Sequence, residues 1–530
     1  MKRNRLKIIS LVLGLALLFT ACGYRIGQDE VTNDPAKEST EEKEPGLTAV
    51  TSQEGEVTNP GDDKFTICWD PADSLNPYDN MCAENAAIMG LVYEGLFDVG
   101  SDFKPINCLC DNYTVENTTY TINIVSDVKF HDGSRLTAED VRYSIERGRE
   151  SEKYGTRFKN IASVELVSEE KLRIILNTPD YTLPSLLDIP IIKNGTGDFD
   201  SPIGSGPYVL RETESTLTYY PEYRAEMPLS VIYLMDTEDI TPAAALSQRK
   251  ADLILYDTSA GSLDVYIDHE THYYDTTVLQ YIGFNTHHYI AGYAEVRRAM
   301  GHLINREGVI SKFPAGSAVP ATLALSSLAP GYDEALEEQT AYSIQKFTEI
   351  LSAMNVADNN GDGWLELNGA TLSFSFVVCD SSPYISQAAS EITDIMRSVG
   401  INVILKRLPY EEYIKALEEG RFDMYYGEVR LPTNFDLSQI LGYDGALNYG
   451  GSSGYDNAMT DYLMADTDET KTAAFRELCQ DIYDNAPIIP VCWKRNAIAF
   501  ERDAIKGVNP TQQNVFWEFG KWEFDGEIAE

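Results

Sequence analysis

Basic residues are scarce in this sequence: 42 lysines and arginines stand against 83 aspartates and glutamates, a formal charge of −41. Neutralising nucleic-acid phosphates takes clustered cations, so nucleic acid is not an expected partner; the acidic surplus reads as solubility and mutual repulsion of an exposed protein, or as attraction of cationic solutes. Histidine is also rare, with six in 530 residues. No uncharged apolar stretch reaches the about 18 residues that would suggest a bilayer-spanning helix. The eight cysteines lack the even number and regular spacing of a disulfide framework once Cys22 is set aside. The rest, Cys68, Cys82, Cys108, Cys110, Cys379, Cys479 and Cys492, are expected mainly as buried, inert thiols. Cys108-x-Cys110 matches neither a redox CxxC pair nor a zinc knuckle.

The first residues supply what the rest lacks. Lys2, Arg3, Arg5 and Lys7 precede an apolar run from Ile8 to Phe19 and then small residues before Cys22, the order of a secretory signal over residues 1–21. Phe19-Thr20-Ala21-Cys22 resembles the lipobox of bacterial lipoproteins, with phenylalanine where leucine is usual. That resemblance implies acylation of Cys22 and attachment to the outer face of a cell membrane, either a Gram-positive surface or a periplasmic one. Several acyl chains on one residue supply the more-than-one-chain attachment that stable anchoring requires. Residues 22–63 are rich in Glu, Thr, Asp, Pro and Gly and nearly free of aromatics, so they bury too little to offset ordering entropy and are expected to form a disordered acidic tether.

From Lys64 onward the composition is globular, and 467 residues are too many for one ordinary core, so at least two domains or lobes are expected. Tyr120 to Ile124 alternates like a strand. Thr137 then stands as N-cap with Asp140 three residues on, and Val141 and Ile145 repeat at helical spacing. Tyr384 to Val399 reads as a helix stopped by Gly400 and followed by a strand at Ile401 to Leu405. A second helix, about Tyr410 to Glu419, leads through Gly420 to a strand at Phe422 to Tyr426. Helices alternating with strands point to α/β lobes.

Val128-Lys-Phe-His-Asp-Gly followed by Leu136-Thr-Ala-Glu-Asp-Val resembles the signature of the family 5 solute-binding proteins, which serve ABC importers of peptides, nickel and related solutes. Leu91-Val-Tyr-Glu-Gly-Leu-Phe, Ile203-Gly-Ser-Gly-Pro-Tyr-Val-Leu, Tyr281-Ile-Gly-Phe-Asn-Thr with Val296-Arg-Arg-Ala-Met, and Ala486-Pro-Ile-Ile-Pro-Val occur in the family's order. The resemblance implies a two-lobed α/β periplasmic-binding-protein-like fold with a hinge and an interlobe ligand cleft. Residues 64–283 with 490–530 would form the first lobe, 96–200 of it an extra subdomain, and 284–489 the second. It also implies a non-catalytic, monomeric receptor without cofactor. Its partners would be a small solute, most readily a short peptide, and the permease subunits of the importer.

The remaining motifs are weighed against plainer explanations. Gly450-Gly-Ser452-Ser-Gly454 matches the G-x-S-x-G nucleophile elbow, but every histidine lies at or before His302, so the serine-then-histidine order is impossible. A secreted hydrolase is therefore disfavoured. His269-Glu-Thr-His272 has the wrong spacing for H-E-x-x-H, adjacent His287 and His288 would diverge on a strand, and no metal site is expected. Asp358, Asn360, Asp362 and Gly363 begin like a calcium loop, but Gly369 stands where the bidentate glutamate belongs, which favours a solvated turn.

The family's peptide carriers commonly place an aspartate for the ligand's amino group after the strand that begins Phe422-Asp423; aligning on those residues puts Pro432 there. Nearby, Glu428 could bind an ammonium and Arg430 a carboxylate, with Asn434 and Asp436 following. An equal alternative has Glu428 and Arg430 in structural ion pairs with each other or with neighbours. Trp69 and Tyr426 are the aromatics expected to wall the cleft. The alternative functions are a solute-responsive surface receptor and a carrier of a non-peptide ligand such as a nickel chelate or a sugar.

Lipidation has a direct test. Cells expressing the natural chain incorporate labelled palmitate into it and retain it in the membrane fraction, whereas Cys22→Ser loses both; label and retention unchanged in the variant would refute the anchor.

Overall fold

A computed structural model describes residues 64–258, 263–451 and 454–524. The leader, Cys22, the acidic tether and Ser452 lie outside the described residues.

One sheet runs through the body. In spatial order its strands are Asn402–Leu408, Ser373–Cys379, Met424–Arg430, His269–Phe284, Ile488–Glu501, Leu253–Tyr256, Phe65–Trp69, Val231–Asp236, Thr216–Tyr219 and Tyr208–Arg211, with Ala318–Pro320 also paired to Ile488–Glu501. The strands Phe65–Trp69, Val231–Asp236 and Leu253–Tyr256 are mutually parallel, so their carboxyl ends share one edge. Helices cover the sheet, as α/β layering requires.

The two longest strands, His269–Phe284 and Ile488–Glu501, run antiparallel and pass from one core to another. Ile498 and Phe500, with Tyr274 packed beside them, join the core built on Phe65, Ile88, Phe130 and Ile232. Ile282, Phe284 and Val491 join Met300, Phe374, Ile392 and Met424. Leu279, Tyr281 and Trp493 face a third cluster with Val429 and Phe435. The change of core coincides with a register shift between Asp275 and Leu279. Ile282, Phe284 and Ile489, which flank the expected boundaries at 283/284 and 489/490, share one core cluster. At the shift the side chains brace the backbone: Thr276 Oγ1 donates to Lys494 O at 2.7 Å and Thr277 Oγ1 to Leu431 O at 2.6 Å.

Residues 110–176 carry a separate four-stranded sheet. The helix Ala138–Glu150 packs against it, opened by Thr137 and Asp140 in a reciprocal capping box. Val141 and Ile145 on its inner face are fully buried, each contributing roughly 1.5–3 kcal/mol of apolar burial. The other local expectations also find their elements: Thr119–Ile124 is a strand, Pro383–Ser398 and Tyr410–Glu418 are helices, and Asn402–Leu408 and Met424–Arg430 are strands. Gly400 ends its helix at φ +92°, a conformation that suits glycine. The strand after Gly420 starts two residues later than expected and runs on to Arg430, which places Glu428 and Arg430 inside it.

The described cysteines are all free thiols, and most are buried. Burial pushes Cys68, Cys110 and Cys479 up to about 12, so they carry almost no reactive thiolate at neutral pH.

Lys471, in the first turn of the helix Asp468–Asn485, is a buried cation. Its amine donates to Tyr462 O and lies 4.5 Å from the centre of the Tyr462 ring. Burial pulls it down from 10.5 to about 8, against an upward pull from Asp180. Between those two values the unfolded chain keeps a proton that the folded chain has shed, so stability rises with pH across that window. The natural chain should therefore gain on the order of 1–2 kcal/mol relative to Lys471→Met between about pH 7.5 and 9.5. Denaturant melts of both proteins across that range measure it; a constant difference would show that Lys471 titrates normally.

Candidate functional site

Charged side chains from both lobes converge where the two long strands pass from one lobe to the other. Tyr426, Glu428 and Arg430 alternate along Met424–Arg430 and share one face of that strand. Glu428 accepts a 2.7 Å hydrogen bond from Gln280 Nε2. Lys494, on the neighbouring long strand, sits 3.9 Å from Glu428 Oε1 and 3.4 Å from Asp257 Oδ1. Asp257 directly follows the strand Leu253–Tyr256, so Lys494 lies between a carboxylate of each lobe.

Arg430 retains solvent-exposed surface while protein surrounds its guanidinium closely enough for desolvation to pull it below the usual arginine range. Tyr274, Asp257 and Glu428 act against that pull, and Arg157 adds to it. Arg430 is therefore exposed to solvent yet within reach of charged groups contributed by both lobes. Lys153 lies within the same electrostatic field. Burial, then Arg157, pull its amine down to about 8, Arg430 adds slightly, and Asp73 and Cys82 oppose. Its Nζ donates to Asn80 Oδ1 and, at 3.2 Å, to Pro77 O. Arg157 is held by Asp188 at 2.7 Å. On the acidic side, burial raises the carboxyl of Glu84, with Asp70, Asp257 and Asp73 adding to the rise. Burial also pushes the Tyr274 hydroxyl up to about 12.

The structure brings together Glu428 and Arg430 but disperses the other expected site residues. Trp69 ends a first-lobe strand on the same sheet edge as Asp257; it is 6% exposed, and its Nε1 is buried without a hydrogen-bond partner among the described residues. Tyr426 is 3% exposed, its ring in the second-lobe core and its hydroxyl donating to Gln280 Oε1 at 2.9 Å. It buttresses Gln280, and through it Glu428, from within that core. Asn434 is buried and donates to Thr182 Oγ1 at 3.0 Å, a contact between lobes that Thr433 Oγ1 to Ser185 O repeats. Asp436 accepts from Ser438 N at 2.8 Å and Oγ at 2.5 Å, ordering the start of the short helix Ser438–Leu441. Glu428 has an ionic neighbour in Lys494, the kind of contact that the alternative of structural pairing with neighbours allows.

Asp257, Lys494, Lys153, Arg157 and Glu84 were not singled out from sequence. Lys494 did leave a signal: a lysine following Ile488 to Trp493, in an apolar strand where an unpaired charge is costly. The calcium-like loop is occupied by its own backbone, since Asp358 accepts from Gly361 N at 2.7 Å and Gly363 N at 3.0 Å. The histidines are spread out. His131 meets Gly206 O, His302 meets Ala341 O, and His288 meets Asp423.

The family landmarks converge into two contact groups. In the first lobe, His131 N donates to Gly204 O and its Nε2 contacts Gly206 O, both at 2.9 Å. A Cβ on Gly204 would sit 2.3 Å from Val92 O, and one on Gly206 2.6 Å from the Val92 carbonyl carbon, so only glycine permits this approach. In the second, Gly283 pairs with Ile488, and Arg297 donates to Ala291 O at 2.6 Å and Ala486 O at 2.8 Å.

Comparison with known proteins agrees with this construction. The family described as bacterial extracellular solute-binding proteins, family 5, matches residues 105–441. The oligopeptide-binding protein AppA of Bacillus subtilis is 22% identical over 98% of this chain and 99% of its own. Among solved structures, the ABC transporter substrate-binding protein CtaP of Listeria monocytogenes superposes with a TM-score of 0.71 at 18% identity, covering 87% of this chain and 99% of that one. NikZ of Campylobacter jejuni, solved with Ni(L-His), gives 0.65 at 19% identity over 87% and 99%. These structural likenesses establish the two-lobed α/β fold. The chain belongs to the bacterial extracellular solute-binding proteins of family 5.

Proposed function

We propose that this chain is the non-catalytic receptor of an ABC importer and that its cargo is a short peptide, bound in the gap between the lobes and passed to the permease. The observation that carries the reading is the pairing of opposite charges across that gap. Glu428 and Asp257 stand near Lys494 at one end of the gap, and Arg430, Lys153 and Arg157 group at the other end. A peptide is a zwitterion whose ends need one partner of each sign, and charge-assisted bonds in a partly desolvated gap are the efficient way to fix them. Glu428 and Asp257 would receive the ammonium, Arg430 and Lys153 the carboxylate, and the unpartnered Nε1 of Trp69 offers a donor for a ligand carbonyl. Lys494 would keep the carboxylates from repelling each other while the site is empty. Pro432, at the position of the family's ammonium-binding aspartate, makes the Glu428 and Asp257 pair the natural substitute.

AppA, similar over nearly the whole chain, is named for oligopeptides, which supports the same class of cargo. NikZ is solved with a nickel chelate, but the histidines described here make separate contacts and do not gather at the gap. The protein acts as a monomer, exported and held by lipid on Cys22.

Calorimetry of the full chain with a mixed library of di- to pentapeptides tests the assignment. Glu428→Ala and Arg430→Ala should each weaken binding by about 1.5–3 kcal/mol, the range for hydrogen bonds to charged groups, with unchanged thermal melts. Unchanged affinity in both variants would remove these residues from the site. Native mass spectrometry that finds only metal-chelate or sugar masses on the purified protein would overturn the peptide reading.

A further inference from the structure

A cavity of about 440 Å³ opens beside the two long strands, against residues 271–275 of one and Arg495 of the other. Ser101, Phe103, Asp275, Arg495, Asn509 and Gln512 are among its walls. None of Glu428, Arg430, Asp257 or Lys494 lines it. Phe103 belongs to the cluster that holds Leu279, Val429 and Trp493. Consecutive residues Thr271 to Asp275 also line it, and one of them, Tyr274, acts on Arg430, so the cavity adjoins the charged gap through that residue.

Its lining is polar and carries both signs of charge. Arg495 Nε is 2.9 Å from Asp275 Oδ1, yet that Nε is buried without an aligned hydrogen-bond acceptor. The contact is close but too bent to satisfy the N–H. The carboxamides of Asn509 and Gln512 and the hydroxyl of Ser101 add neutral donors and acceptors. Gln512 also reaches the register shift, where its Oε1 accepts from Thr277 N at 2.6 Å.

We infer that this cavity is a second ligand site, for a free amino acid or dipeptide, with the carboxylate at Arg495 and the ammonium at Asp275. The misaligned pair is a poor ion pair but a good recognition pair: a zwitterion between them gives each group a linear partner. Because the same walls include Gln512 and flank Thr277, occupancy fixes the segment about which the lobes would move. A bound zwitterion therefore changes the balance between open and closed forms, and through it the affinity of the interlobe gap.

Hydrogen–deuterium exchange of the full chain with glycyl-glycine as probe tests this. With the probe at about ten times its Kd, residues 508–513 and 271–275 should exchange roughly tenfold more slowly. Ser101→Phe, which fills the cavity from an exposed loop position, should abolish that protection and leave any protection of 424–430 intact; Asn509→Trp, from the facing wall, should do the same. The Glu428→Ala/Arg430→Ala protein should retain it. Protection that survives both filled-cavity variants, that disappears with the Glu428 and Arg430 substitutions, or that maltose but not glycyl-glycine produces would overturn the assignment.

Discussion

Everything in this fold hangs on the antiparallel pairing of His269–Phe284 with Ile488–Glu501. Those two strands pass from the core containing Ile498 and Phe500 to the cores containing Ile282, Val491 and Trp493. Strand pairing resists shear, so the lobes cannot slide past one another. At the shift between Asp275 and Leu279 the ladder is interrupted and side chains from Thr276 and Thr277 replace part of it. That shift, with a smaller one between Gln280 and Tyr281, lets the backbone bend without breaking regular ladder bonds, and the charged gap and the cavity both lie beside it.

The charge distribution around that point runs against the composition. In a chain with a formal charge of −41, Arg430, Lys494, Lys153 and Arg157 are gathered in or beside the gap. Desolvation there pulls Lys153 down to about 8, a cost that the fold alone gives no reason to bear. A ligand carboxylate would return that energy by neutralising the cluster, so the unfavourable term of the empty state becomes a source of affinity in the filled one. The same logic does not apply to Lys471, whose carbonyl and ring contacts are both to Tyr462 of the core, which marks it as structural.

Much of the fold was legible in the sequence because local signals and burial agree. Thr137 with Asp140, Gly400 after a helical run, and the glycines around Ser205 each answer to a single backbone requirement that the residue type announces. The dispersed landmarks were recognisable because they meet in space: His131, Gly204, Gly206 and Val92 form one contact group, and Gly283, Arg297, Ala486 and Ile488 another. The site was less legible. Period-two alternation put Tyr426, Glu428 and Arg430 on one face but said nothing about depth, and Tyr426 lies within the core while Arg430 reaches the gap. Asn434 and Asp436 looked like ligands for their polarity, yet their partners, Thr182 and Ser438, satisfy them within the protein. Asp257, Glu84 and Lys153 come from segments far from Glu428 in the chain, and no spacing rule links residues that only the passage of two strands between the lobes brings together.

Among the described residues, hydrogen bonds and an aromatic pair hold the lobes against each other. Thr433 to Ser185, Asn434 to Thr182, Tyr181 N to Leu463 O at 3.1 Å and the edge-on pair of Phe103 and Phe435 at 5.3 Å span the two sides. Each such bond is worth about 0.5–1.5 kcal/mol net, and the aromatic pair about the same beyond its buried area. Their sum is of the order of the ordering entropy that closure costs, since fixing even a few residues takes about 1–2 kcal/mol each. The closed arrangement is therefore not secured by protein–protein contacts alone. Charges contributed from both lobes shift the decision to whatever occupies the gap, because a solute bound to Glu428 and Arg430 on one side and Asp257 and Lys153 on the other gains its full interaction only when the lobes have met.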